Sequence, residues 1–274
     1  MLKRIRETRN IILISLLILI TDFAIVWLNK QTLEHEFAAQ FEQLAQQHYL
    51  NYMSTLEQTY ASLSGLATYI ANDSEIQELF YQAYLAQNTN PRNETRLAEV
   101  RQLLNAELLD GWTNMQGNFY ARQLHFHFGP GSTSFLRVHR PQKFGDNMDD
   151  VRHTIVHTNT TLEPTQGFET GRIYSGFRSV VPMFYTVPDS GERIHTGALE
   201  TGASFGSVFS VLTHVLQVNA GVALTQAHVQ ENMWQEAIAS KFKNTYIEDC
   251  HCYLEEVTEQ QGSHILGAAI KAGI

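Results

Sequence analysis

The side chains able to do chemistry gather between positions 125 and 202 of this 274-residue chain. Arg137 and His139 lie two apart in 135–140 (FLRVHR), which alternates polar and apolar residues as a strand does, so both leave one face. Arg152, Arg172 and Arg178 add cations in the same region. Arginine's planar fork of donors suits a carboxylate or a phosphate. Asp146, Glu169, Tyr174 and Glu200 complete the candidate set, the carboxylates either holding an amine or neutralising the arginines. The alternative for any one of these residues is an internal ion pair, such as Arg137 with Asp146 or Arg178 with Glu169.

His125 and His127 form an H-x-H pair within 123–128 (QLHFHF), an arrangement compatible with a metal ion. No third ligand is in view beside them, so a surface or hydrogen-bonded pair is expected, with no metal site and no cofactor. Whether they share the face of Arg137 depends on the hairpin between them. A loop with an even number of residues puts Leu124 and Phe126 on that face, and an odd one puts the histidines there. Cys250-His251-Cys252 leaves three states open: a bonded pair closing a very small, strained loop, a soft-metal clamp, or thiols that are free or paired between chains.

Several chemistries are excluded. Gly129-Pro130-Gly131 is not a phosphate loop, since no Gly-Lys-Ser/Thr follows, and there is no G-x-S-x-G elbow or H-E-x-x-H helix. No catalytic residue is expected. With 19 Lys and Arg against 28 Asp and Glu, the net charge of −9 argues against a nucleic-acid partner.

The elements that must position these residues begin with a membrane signal. Residues 11–28 (IILISLLILITDFAIVWL) are mostly apolar, and a helix of that length spans about 27 Å, close to the bilayer's hydrocarbon thickness. Asp22 is its one charge, and Trp27 suits an interface. Lys3, Arg4, Arg6 and Arg9 precede it, which places the N-terminus in the cytoplasm and everything after Asn29 outside. The rival reading, a cleaved signal peptide, lacks a clear A-x-A site. No second apolar run of that length follows, so a single crossing is expected.

From Leu33 through Phe37, Phe41, Leu44, His48, Tyr52, Leu56, Tyr60 and Leu63 to Ala67, apolar residues step by three or four. That is the period of one long amphipathic helix. Ser74 with Gln77 resembles a capping box opening a helix through Leu85, and another runs from Glu94 to Leu109. Strands are expected over 123–128, 135–140, 167–185 and 193–202, with a short helix over 150–158 and another over 205–217. A strand over 220–228 and a helix over 233–242 follow. Strands grouped after helices indicate an α+β fold.

Residues 134–152 (SFLRVHRPQKFGDNMDDVR), 167–184 (GFETGRIYSGFRSVVPMF) and 195–202 (HTGALETG), preceded by 67–83 (ATYIANDSEIQELFYQA), resemble the extracellular double Cache sensor domains, in particular their third subtype. The likeness implies a long N-terminal helix beside two PAS-like antiparallel sheet modules, the membrane-distal one usually binding a small molecule. Such domains sit in bacterial chemoreceptors, sensor histidine kinases and diguanylate cyclases. On this likeness 1–10 is a cytoplasmic basic tail, 11–28 the transmembrane helix, 29–70 the long periplasmic helix, 71–217 the distal module and 218–274 the start of a proximal module, unfinished at Ile274.

The expected function is ligand sensing for a transmembrane receptor in the bacterial inner membrane, as a homodimer through the long helix. The ligand is small and polar, anionic or zwitterionic. Arg137→Ala is expected to abolish its binding. The first alternative is a module that recognises a periplasmic binding protein, and the remote one is a membrane-anchored metal-dependent hydrolase.

Overall fold

The computed structural model describes residues 2–119, 121–216 and 218–258, with side chains described except in 2–9, 118–119 and 215. The side chains of Lys3, Arg4, Arg6 and Arg9, and the whole of 259–274, lie outside the described residues. Helix α1 runs Leu2–Ala71. It is long and apolar enough to cross a membrane, and the side chains of 11–28 are exposed throughout. The chain divides into two units, Met1–Met53 and Ser54–Ile274. In the second unit the last turns of α1 bury Leu63, Ala67, Ile70 and Ala71.

Asp73, one residue before the expected cap, ends the first helix and starts the next. Its Oδ1 accepts from the amides of Glu75 (2.9 Å) and Ile76 (3.1 Å), satisfying donors at the start of α2, Ser74–Gln87. Helix α3, Glu94–Phe119, continues past Gly111 because Trp112 is buried on the core side.

Five strands follow: β1 (Gln123–Phe128), β2 (Thr133–Arg137), β3 (Thr165–Thr170), β4 (Ser175–Thr186) and β5 (Arg193–Ala203). They form one antiparallel sheet in the order β2-β1-β5-β4-β3. Helix α4, His153–Thr161, connects β2 to β3. Alternation gives the sheet two unlike faces. Leu124, Phe126, Phe128, Val181, Met183 and Leu199 join Phe80 of α2 and Leu104 of α3 in the main apolar core. The opposite face carries His125, His127, Arg178, Val180, Ala198 and Glu200, and Ile155 of α4 packs on Val180 and Ala198.

The β1–β2 hairpin corrects the parity expectation. Phe128 pairs with Thr133 across four loop residues, an even number, yet His125 pairs with Arg137. The register shifts between Phe126 and His127, where Leu136 and Ser134 are the partners and Phe135 is the extra residue of a β-bulge. The bulge returns both histidines to the face of Arg137. Strand β2 ends at Arg137, so His139 lies in the following turn.

Helix α5 (Phe205–Leu216) leads to a second sheet, β6-β8-β7, formed by β6 (Gly221–Thr225), β7 (Tyr246–Ile247) and β8 (Cys252–Val257). Residues 226–228, expected as strand, open helix α6 (Gln226–Asn232), capped by the Thr225 hydroxyl. Helix α7 is Gln235–Lys241. Leu224, Val229, Met233, Ile238 and Phe242 make the core of this part. Cys250 and Cys252 are bonded to each other with Cα atoms 5.2 Å apart, and His251 between them takes a left-handed conformation at φ 47°.

Candidate functional site

Glu200 stands at the centre of the polar sheet face and is completely buried. The alternation of 195–202 (HTGALETG) puts it there: Leu199 and Thr201 point to the helices, and Ala198, Glu200 and Gly202 to the other side. Its Oε1 lies 3.4 Å from both Arg152 Nε and Arg178 Nε. Its Oε2 lies 3.3 Å from His125 Nδ1 and 3.4 Å from His127 Nε2. One carboxylate thus faces two guanidinium groups and two imidazoles. Burial raises its pKa, but Arg152, the two histidines and Arg178 outweigh that and hold it well below the usual carboxylate range.

The arginines arrive from different elements. Arg178 comes from β4, is 2% exposed and donates to Gln123 Oε1 of β1. Burial and the neighbouring Arg152 lower its pKa to about 10. Arg152 directly precedes α4 and donates to Val151 O. Two glycines make room for them: a Cβ at Gly171 or Gly202 would collide with Arg152 or Arg178 respectively.

Several buried polar atoms in this region have no hydrogen-bond partner. They include Oε2 of Glu169 and the Thr154 and Thr158 hydroxyls of α4, while Nε of both arginines and Oε1 of Glu200 meet one another only as 3.4 Å ion pairs. Leaving a buried polar atom unpaired costs about 1–3 kcal/mol, so such atoms call for a partner such as water, an ion or a ligand. Glu169 Oε1 accepts from the Thr154 amide at 2.7 Å, at the start of α4.

The sequence profile described as a double sensory domain of two-component sensor kinases, the third double Cache family, matches residues 40–260. The chain belongs to this family. No curated protein matches it. Among solved structures, the double Cache chain is similar to the sensor domain of the Vibrio cholerae histidine kinase DctB, at 12% identity over 68% of this chain and 65% of that one, TM-score 0.45. It is similar to the Escherichia coli DcuS sensor domain, at 11% identity over 58% of this chain and 98% of that one, TM-score 0.39. A third similar structure is the ligand-binding domain of the Pseudomonas aeruginosa PAO1 amino-acid chemoreceptor PctC in complex with GABA, at 12% identity over 62% and 72%, TM-score 0.29. The chain thus spans 65% of the length of the DctB sensor domain.

Within the double Cache fold the eight candidate residues separate into groups. Arg152, Arg178 and Glu200 meet directly, and Glu169 acts electrostatically on Arg178. Arg137 and Asp146 form a bidentate pair at 2.8 and 2.9 Å, as the alternative reading had it, and Arg137 also donates to Lys143 O at 2.9 Å. That pair pins the loop carrying Arg152 to the sheet, with Ser134 N donating to Asp146 O at 2.9 Å. His139 stands edge-on to His125 at 6.3 Å, and burial lowers its pKa to about 4. Tyr174 is 41% exposed and lies under Arg122, with the Lys241 ammonium 5.6 Å from its ring. Arg172 pairs with Asp150 and donates to Asn232 O. Arg178 pairs with Glu200 rather than, as weighed above, with Glu169.

Two contributions escaped sequence reading. Thr154 and Thr158 stand four apart on one face of α4, a polar stripe that signals a helix covering a polar surface. Glu200 as the partner of His125 and His127 leaves no local trace. A cavity of about 490 Å³ lies elsewhere, between the end of α1 and the β4 edge, lined by Thr68, Gln77, Pro164, Phe184 and Arg193 among others.

Proposed function

We propose that this double Cache domain is the sensing region of a membrane-anchored bacterial receptor, and that a small carboxylate-bearing molecule, anionic or zwitterionic, binds the polar face of its first sheet beneath α4. The observation carrying this reading is the meeting of Arg152 and Arg178 at the buried Glu200, with Glu169 Oε2 and the Thr154 and Thr158 hydroxyls left without a hydrogen bond. The guanidinium groups supply donors for the ligand carboxylate. Glu169, through its Oε2, supplies an acceptor for an amine. Arg137, Asp146 and His139 position the loop and hairpin around the site, and Tyr174 lies outside it.

The five-stranded sheet is the membrane-distal module in this reading, and β6–β8 opens the proximal one. Residues 11–28 cross the inner membrane with the N-terminus in the cytoplasm, and the chain pairs with a second copy through α1. Ligand binding shifts α4 against the sheet. The ligand favours one arrangement by its differential contacts there.

The test is a melting-temperature screen of the full chain in detergent against organic acids, amino acids, amines and sugars. A ligand that binds only the folded state raises the midpoint with its saturation. Organic acids or amino acids raising the midpoint support the reading. A response confined to sugars, or to amines without a carboxylate, contradicts it.

A further inference from the structure

His125, His127 and Glu200 each offer one ligand atom, all three side chains are buried, and these atoms lie within 4.8 Å of one another. The two histidines are adjacent on one face of β1, and Glu200 is the direct β5 partner of His125. We propose that these three residues bind a divalent transition-metal ion, with Zn2+ the ion best suited to the donor set.

The distances fit the edges of a metal's coordination sphere and are long for direct charge-assisted hydrogen bonds. Glu200 Oε2 lies 3.3 Å from His125 Nδ1 and 3.4 Å from His127 Nε2. A charge-assisted hydrogen bond between such groups is shorter, about 2.7–2.9 Å. Zinc bonds to nitrogen and oxygen are about 2.0–2.2 Å, and the edge of a tetrahedron built on them is about 3.4 Å.

The hydrogen-bond inventory points the same way. His127 Nδ1 faces Ser132 O at 3.3 Å, and a carbonyl only accepts, so Nδ1 carries the hydrogen. The other nitrogen, Nε2, faces a carboxylate oxygen, also an acceptor. A cation between Nε2 and Oε2 satisfies both. In His125, Nδ1 faces Glu200 and Nε2 lies 2.8 Å from Ser134 Oγ, a hydroxyl able to accept from it as well as to donate.

With Ser134 Oγ accepting, each histidine has its inner nitrogen toward Glu200 and its outer one on an oxygen of the β1–β2 hairpin. That is the outer-shell pattern of metal-bound histidines. Ser132 is itself fixed, its amide and hydroxyl both donating to Asp149 Oδ1 at 2.7 Å. Arg152 Nε and Arg178 Nε lie against the other oxygen of Glu200, Oε1. Imidazole and carboxylate donors without sulfur suit zinc and its first-row neighbours. Three protein donors leave the fourth tetrahedral position to water or an anion. The metal site stands on these contacts whether or not an organic ligand binds beside it.

The test uses the full chain in detergent, stripped with a chelator and re-equilibrated with Zn2+ or Co2+. A single equivalent of Zn2+ per chain is expected, with the visible band of four-coordinate cobalt on substitution. Loss of an outer-shell partner costs about 10–100-fold in affinity, so His125→Ala and His127→Ala, each removing a ligand, should weaken binding by about 100-fold or more. The Cys250→Ser/Cys252→Ser variant should bind unchanged. X-ray absorption of the wild-type zinc complex, which needs no variant to fold, should show two imidazoles and no sulfur. Absence of stoichiometric uptake, full retention in both histidine variants, or sulfur in the inner shell would overturn the assignment.

Discussion

Arg152 lies so close to Gly171 that a Cβ at 171 would stand 2.7 Å from its Nη2 atom. Gly202 stands in the same relation to Arg178, its partner across β4 and β5. These two glycines leave room for the two guanidinium groups. Gly171→Ala and Gly202→Ala should each displace the facing arginine. Overpacking of this kind costs about 1–3 kcal/mol, measurable by urea unfolding. Retention of wild-type stability in both variants would show that the arginines move at no cost.

Glu200→Gln removes the one carboxylate between Arg152 and Arg178. Breaking a buried ion pair from one side costs about 3–5 kcal/mol. The same change in an Arg178→Met background should cost less, because one of the stranded charges is gone. A double-mutant cycle by chemical denaturation measures the difference. Strict additivity would place the two residues in separate networks.

Burial lowers the pKa of His139 to about 4 despite the Leu124 backbone contact, and Glu200, Arg137 and Arg178 also act on it. The unfolded chain takes up this proton as pH falls through about 6.5, and the folded chain does so only near 4. Stability is therefore full above about 6.5 and declines toward 4, by about 3 kcal/mol for this group. Unfolding free energy followed across that range should flatten in His139→Phe. An unchanged slope would remove His139 from the account.

Phe80 of α2 is fully buried, stacked on Phe128 with centroids 5.5 Å apart and tilted against Phe126 and Phe135. Phe80→Ala should cost about 3–5 kcal/mol. Thermal unfolding checks this, and a loss below 1 kcal/mol would mean that the helices contribute little to holding the sheet.

Much of this fold is written in short-range pattern. Gln123–Phe128 and Arg193–Ala203 declare themselves by alternation, and the period from Leu33 to Ala67 sets the long helix. What escapes is whatever depends on a partner distant in sequence. The face of the histidines was left to the parity of the β1–β2 loop, and parity alone does not decide it, because the bulge at Phe135 has no composition of its own. Strands β7 and β8, the latter starting at Cys252, were not expected, and two-residue Tyr246–Ile247 is too short for alternation to show. Period two tells which face Glu200 takes. It does not tell that strands 73 residues apart bring His127 beside it.

The central claim is that a small carboxylate-bearing molecule sits against Arg152 on the polar sheet face. Calorimetric titration of the compound with the largest melting shift, into the wild-type chain and the Arg152→Ala and Tyr174→Ala variants, tests it most directly. The account predicts that Arg152→Ala loses at least about tenfold in affinity, the worth of one charge-assisted hydrogen bond, while Tyr174→Ala binds as wild type. Wild-type affinity in Arg152→Ala would contradict it.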